Sequence, residues 1–420
     1  MSIERDETTN PPLPRNQTAV VSEHPRWDRQ RLQLGRLASS GRQRRLRRDE
    51  TVGDAAVDFR SNDYLGLAQK PLRPGRHSLS ELSIGAAASP LVSGWTEPHQ
   101  SLMDAIVDFE VAESGLVFSS GYAACMGTIA GLAEADDLIL SDQLNHASLI
   151  DGCRLSPATV EIYRHADVES LTAILHRVRS RFDQCWIVTD SVFSMDGTTA
   201  PLVSLCDVAD RFDATLVVDE AHATGVLGPN GRGLAHHHGV HRRIPVRIGT
   251  LSKAMGMQGG FVVGPQVLMD RLINHCRPFI YSTALSPMIA SQAADLIREM
   301  QCHDIAEPRR NDLFARTRWL REAFADEADR WKRHGLSVPN GEAPPMTPIV
   351  PLIVGADQTA LQWATHFERH GIQTVAIRPP TVPERSARIR ISVSALHGEN
   401  DLRRLIAAIN AWPDQTKRPS

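Results

Sequence analysis

Leu216-Val217-Val218-Asp219-Glu220-Ala221-His222-Ala223-Thr224-Gly225 decides how this chain of 420 residues is to be read. An apolar, β-branched run ends abruptly in a carboxylate. Such a run reads as a buried strand that stops at a polar edge. A buried aspartate is costly unless it is paired. Asp219 therefore either caps the turn that follows or meets a protonated ring nitrogen there. Similar runs lie on both sides, at residues 116–118, 138–140, 160–163, 186–189, 246–248 and 261–263. Stretches with helical apolar spacing, such as 169–182 and 203–212, separate most of them. The last two runs are too close for a helix between them and read as a hairpin-like pair. The alternation predicts an α/β fold with a mostly parallel sheet of seven strands, covered on both faces.

Ligands of such sheets gather past the carboxyl ends of the strands. Ser119-Ser120-Gly121-Tyr122 follows the first run and opens a helix, whose free amides suit an anion. Tyr122 reads equally as packing. Asn145-His146-Ala147-Ser148 follows the second; His146 is either a satisfied structural histidine or a flat ring that stacks on a heterocycle. Thr189-Asp190-Ser191-Val192-Phe193-Ser194 adds polar groups at another strand end. His222, three residues past Asp219, could donate to a ring oxygen or support its neighbours. Gly249-Thr250-Leu251-Ser252-Lys253-Ala254-Met255-Gly256 places one lysine among small residues. It is either a surface lysine in a loop or an amine able to form a Schiff base. An anion cradle, a stacking ring, a buried acid and an amine are together the parts of a pyridoxal 5'-phosphate (PLP) site.

The remainder frames that site. Residues 1–25 are polar and proline-containing and read as a disordered tail. Residues 26–55 read as a helical segment with an arginine cluster that includes Arg47, either a solvated face or an anion grip. Residues 56–288 form the expected large domain. Residues 289–414 form a smaller α/β domain entered by a long helical stretch over 290–324, with a strand-like run at 373–377. Asn62 sits in a turn that is either structural or offers its amide to a carboxylate. Arg388 and Arg390 share one strand face, and one of them could grip a carboxylate. His236, His237, His238 and His241 read as a solvent-exposed tract, not a metal site, because no cysteine or acidic partner is close. With 23% charged residues and net charge −3, the composition gives no support for nucleic-acid binding. No apolar run approaches the roughly 20 residues of a membrane helix. Six scattered cysteines suit a reduced, cytoplasmic protein.

The segments 61–67 (Ser-Asn-Asp-Tyr-Leu-Gly-Leu), 91–94, 145–149, 193–197, 219–228 and 250–253 resemble the α-oxoamine synthases, fold-type-I PLP-dependent transferases. The resemblance runs from about residue 45 to 412. Ala376-Ile377-Arg378-Pro379-Pro380-Thr381-Val382-Pro383 resembles the biotin-synthesis branch, which condenses L-alanine with pimeloyl-CoA or a pimeloyl carrier protein. Glycine or another acyl-CoA, or an inactive PLP-binding partner subunit, are the alternatives. The resemblance implies roles. Lys253 would anchor the cofactor and serve as base, Asp219 would keep its ring nitrogen protonated, and His146 would stack on the ring. His222 and Ser194 would meet the ring oxygen. Gly121, Tyr122 and Thr250 would hold the phosphate, with Thr283 reaching in from the other subunit of a homodimer that shares its active sites. Asn62 and Arg390 would orient the amino-acid carboxylate, and Arg47 and Thr381 would lie along the acyl-donor path. Two departures stand out: Gly85-Ala86-Ala87-Ala88-Ser89-Pro90 replaces a glycine-rich stretch of the family, and Met103 stands where the family has a glutamate.

Overall fold

A computed structural model describes residues 27–39, 56–69, 82–302, 306–333, 335–338 and 346–412. The chain divides into two units, Met1–Asp54 and Ala55–Ser420. The described part of the first is helix α1 (Asp28–Ser39), which buries no residue. Arg47 and the rest of its arginine cluster lie outside the described residues.

In the second unit the order is β1 (Val57–Asp58), α2 (Glu97–Glu110), β2 (Ser114–Phe118), α3 (Gly121–Leu132), β3 (Leu138–Asp142), α4 (Ala147–Leu155), β4 (Thr159–Tyr163), α5 (Val168–Val178), β5 (Cys185–Asp190), α6 (Leu202–Arg211), β6 (Thr215–Asp219), β7 (Val246–Thr250), β8 (Gly260–Gly264), α7 (Gln266–His275), α8 (Pro287–Gln301), α9 (Ala306–Arg333), β9 (Ile349–Gly355), α10 (Asp357–Arg369), β10 (Ile372–Gln373), β11 (Val375–Ile377), β12 (Ala387–Ser392) and α11 (Glu399–Asn410), with short helical turns between. Seven strands form one sheet in the order β2-β8-β7-β6-β5-β3-β4. All are parallel except β8, which runs antiparallel to β2 and β7. This is the fold-type-I sheet. The sequence runs become strands because alternate residues feed two separate cores. Leu138, Leu140, Leu216 and Val218 enter one, while Ile139, Val217, Val246 and Ile248 enter the other. Helices cover both faces with spaced apolar residues, as Leu171, Leu175 and Val178 of α5 show.

A second sheet, β11-β12-β9, is antiparallel, and β1 pairs in parallel with β10. The turn after β1 is sewn to the far end of the chain. The Ser392 amide donates to the Phe59 carbonyl at 2.9 Å, and the Ala395 amide to the Tyr64 carbonyl at 2.7 Å. No described helix is long and apolar enough to cross a membrane.

Three expectations are corrected. The helical stretch over 290–324 is two helices, α8 and α9, and the second runs on to Arg333. Pro308 explains the break, since its missing N–H is tolerated only in a first turn. The run 373–377 is split between two sheets. The histidine tract is not all exposed: His236 is buried, its Nε2 lies 3.1 Å from the Glu110 carbonyl, and its ring stacks on His241.

Candidate active site

The anion cradle forms where β8 begins beside the first turn of α3. Ser120 caps the helix, its Oγ accepting from the Ala123 amide at 3.1 Å and its carbonyl from the Ala124 amide at 3.1 Å. The Gly121 and Tyr122 amides therefore sit at the open end of the helix, ahead of its internal bonds. Backbone approach is close here. A Cβ on Gly260 would meet the Gly121 Cα at 2.5 Å, and one on Gly121 would meet the Thr250 hydroxyl at 3.0 Å. Thr250 adds Oγ1, which lies 2.8 Å from the Ser252 hydroxyl and donates to the Gly259 carbonyl. Small residues, two amides and two hydroxyls fit a phosphate group.

The turn between β7 and β8 carries Lys253. Antiparallel pairing of Thr250 with Gly260 closes the turn, and the Leu251 amide bonds the Gly259 carbonyl at 3.0 Å. Lys253 is half-buried. Burial pushes its ammonium below the ordinary lysine value, against the pull of the Asp219 and Asp190 carboxylates. Asp219 ends β6, buried, with Oδ1 accepting from the Ala221 amide at 2.8 Å and Oδ2 from the Cys125 thiol at 3.1 Å. Asp190 ends the neighbouring β5 directly opposite Asp219. It accepts from the His146 amide at 2.7 Å. Burial, with the Asp219 charge beside it, pushes Asp190 well above the usual carboxylate range. His146 caps α4, its Nδ1 lying 2.7 Å from the Ser148 hydroxyl. Burial lowers its pKa, so the ring is available in neutral form.

On the far side Arg390, buried in β12, donates through Nη2 to Asn62 Oδ1 at 2.5 Å and through Nη1 to the Ser194 carbonyl at 3.3 Å. The Tyr64 hydroxyl stands 3.3 Å from Asn62 Oδ1 and 2.7 Å from His222 Nδ1. Arg388, on the same face of β12, pairs instead with Asp196. The geometry thus separates the two arginines: one is committed to an ion pair, the other is held by neutral oxygens and can take a carboxylate.

Lys253, Asp219, His146, His222, Asn62, Ser194, Arg390, Gly121 and Thr250 are thus placed around the strand ends. Ser194 reaches Arg390 by its backbone carbonyl. Tyr122 is exposed and its hydroxyl bonds Asp151, with its ring edge-on to His146. Thr283 and Thr381 are exposed in this single chain, and the Thr381 amide bonds the Arg378 carbonyl. Sequence reasoning gave no role to Tyr64, Cys125, Asp190 or Ser252. One available signal was composition: the chain has four lysines, at 70, 253, 332 and 417, so an amine inside the sheet region is conspicuous.

The chain matches the family model of class I and II aminotransferases over residues 55–409. It is 42% identical over 360 residues to 8-amino-7-oxononanoate synthase of Marinobacter nauticus (strain ATCC 700491 / DSM 11845 / VT8), covering 85% of this chain and 87% of that one. Among solved structures it is similar to a serine palmitoyltransferase from S. paucimobilis with a bound PLP–myriocin aldimine. There the TM-score is 0.82 at 27% identity, over 92% of this chain and 97% of the other. It is also similar to 8-amino-7-oxononanoate synthase from Francisella tularensis, with a TM-score of 0.66 at 25% identity, over 85% and 97% of the two chains.

Proposed function

This chain belongs to the α-oxoamine synthases within the class I and II aminotransferase family, and we propose that it condenses L-alanine with a pimeloyl thioester, releasing carbon dioxide and 8-amino-7-oxononanoate. It is a PLP-dependent acyltransferase. When bound, PLP supplies an electron-poor ring that stabilises negative charge on the substrate carbon next to the amine. The observation that carries the reading is a half-buried Lys253 just past the end of β7, beside a buried Asp219 that ends the neighbouring β6.

The chain's own groups divide the work. Lys253 Nζ would anchor the cofactor and, when free of it, would serve as the base for the alanine Cα proton. Burial favours its neutral form, against the pull of the Asp219 and Asp190 carboxylates. Asp219 would hold the proton of the ring nitrogen, since a buried carboxylate without a cationic partner is costly. The Gly121 and Tyr122 amides would hold the phosphate, joined by the Thr250 hydroxyl once its proton turns from the Gly259 carbonyl. His146 would cover one ring face. Arg390 grips the alanine carboxylate while the Asn62 amide N–H group orients it. Thr381 lies along the acyl-donor path, and Thr283 reaches the phosphate of the other subunit in a cytoplasmic homodimer.

Support for alanine and pimelate comes from the relative at 42% identity. The higher TM-score of the serine palmitoyltransferase supports a second reading, serine with a long acyl thioester. The purified holoenzyme is offered alanine, glycine or serine with pimeloyl-CoA or palmitoyl-CoA, and the products are weighed by mass spectrometry. Alanine with pimeloyl-CoA should give the most product. Preference for serine with palmitoyl-CoA would establish the second reading instead. Sedimentation at assay concentration checks the dimer.

A further inference from the structure

Tyr64 is fully buried, and both sides of its turn are fixed. Its amide donates to the Asn62 carbonyl at 2.8 Å and its carbonyl accepts from the Ala395 amide at 2.7 Å. Gly66 follows with φ +65, and a Cβ there would strike Leu396 at 2.3 Å. The phenol is thus held by its surroundings and meets two acceptors with one proton. Asn62 Oδ1, the farther at 3.3 Å, already receives Arg390 Nη2 at 2.5 Å. His222 Nδ1, the nearer at 2.7 Å, has the phenol as its partner. We propose that Tyr64 is a positioning residue: it donates to His222 Nδ1 and so fixes the tautomer whose Nε2–H faces the ring oxygen of the cofactor.

The inference rests on the reading that His222 meets that oxygen. Three conditions support it. Burial, together with the positive charges of Lys253, Arg390 and His146, holds His222 well below the ordinary histidine value, so the ring is neutral. A neutral imidazole carries one N–H, and an accepting Nδ1 leaves it on Nε2. With the opposite tautomer, the Nε2 lone pair would point at an anionic oxygen and repel it. Tyr64 also touches Asn62, so one side chain ties the cofactor-facing histidine to the carboxylate-binding pair.

The first test uses the wild-type holoenzyme labelled with ¹⁵N-histidine. His222 is assigned by comparison with His222→Phe. An unprotonated shift for Nδ1 and a protonated one for Nε2 are expected; a protonated Nδ1 overturns the proposal. The second test titrates the bound cofactor's visible absorbance against pH, without amino acid, in Tyr64→Phe, His222→Phe and the double variant. Losing the donor at the ring oxygen concentrates charge there and strengthens its hold on the neighbouring proton. The midpoint of Tyr64→Phe should therefore rise by about half to one pH unit, the size of one hydrogen bond. The double variant should shift no further than His222→Phe alone, because both changes act through one histidine. Additive shifts, or a Tyr64→Phe midpoint equal to wild type while His222→Phe moves, overturn the proposal. If His222→Phe itself leaves the midpoint unmoved, the reading of His222 fails instead. Neither readout depends on which amino acid or acyl donor the enzyme uses.

Discussion

At the scale of single residues, the proposed chemistry concentrates on wholly or partly buried groups at the strand ends. Lys253→Ala should abolish both turnover and the visible absorption band of the bound cofactor, since no other described lysine stands at these strand ends. A variant that kept either would remove Lys253 from the anchor role. Asp219→Asn should leave the thermal unfolding midpoint nearly unchanged and lower kcat at least a hundredfold, in line with the loss of a preorganised electrostatic group. The Cys125 thiol, pushed well above its ordinary pKa by burial and the Asp219 charge, remains a hydrogen-bond donor to that carboxylate at neutral pH. Cys125→Ala should lower kcat by roughly threefold to tenfold, and Cys125→Ser should stay within about twofold of wild type, because one hydrogen bond is lost in the first and kept in the second. Steady-state kinetics on the pair decides it. The strand-end placement of Lys253, Asp219 and His222 was legible in the sequence, because a polar residue just past an apolar run marks where a buried strand stops. Tyr64 and Cys125 were not, since both are ordinary core residues by type. Asp190 stood among the polar residues of its strand end, but only the register of β5 against β6 puts it opposite Asp219.

Secondary-structure elements were read well where burial alone decides them. Each apolar run between 116 and 263 became a strand, and the close final pair became the antiparallel β7 and β8. Reading failed where two neighbours compete for one stretch. Residues 372–377 serve two sheets, and the choice between them lies with β1 and β12, far away in sequence. The segment before the turn of Pro90–Gly94 shows a local cost. The Ala88 amide bonds the Ala86 carbonyl at 2.8 Å around Ala87, whose φ is +57. That is the strained form of a three-residue turn. Ala87→Gly should raise stability by roughly 0.5–1 kcal/mol, measured by chemical denaturation, as expected for relief of a left-handed alanine offset by a looser unfolded chain. A loss of stability would show that Ala87 is not strained.

For the molecule as a whole, the buried cluster under α2 sets a pH response. Burial, with His241 and Arg247 beside it, pushes His236 down from 6.5 to about 3. Its folded value lies below its unfolded one, so this contribution to stability is complete above about 6.5 and is lost as pH falls toward 3. Glu110, 3.7 Å away, runs the other way: burial raises it to about 7, and its contribution fades as pH rises through that value. His236→Gln should therefore lose less unfolding free energy than wild type between pH 7 and pH 5, and denaturation at the two pH values measures it. An equal loss in both proteins would clear His236 of the acid response. The backbone bonds that sew Phe59 and Tyr64 to Ser392 and Ala395 carry a further consequence, in the order of synthesis. Asn62 leaves the ribosome early, yet its partner Arg390 follows 328 residues later. The arginine proposed to hold the substrate is therefore missing from the nascent chain until those 328 residues have been added. Any product truncated before β12 lacks Arg390 outright, so premature termination yields chains without the proposed grip for an amino acid's carboxylate.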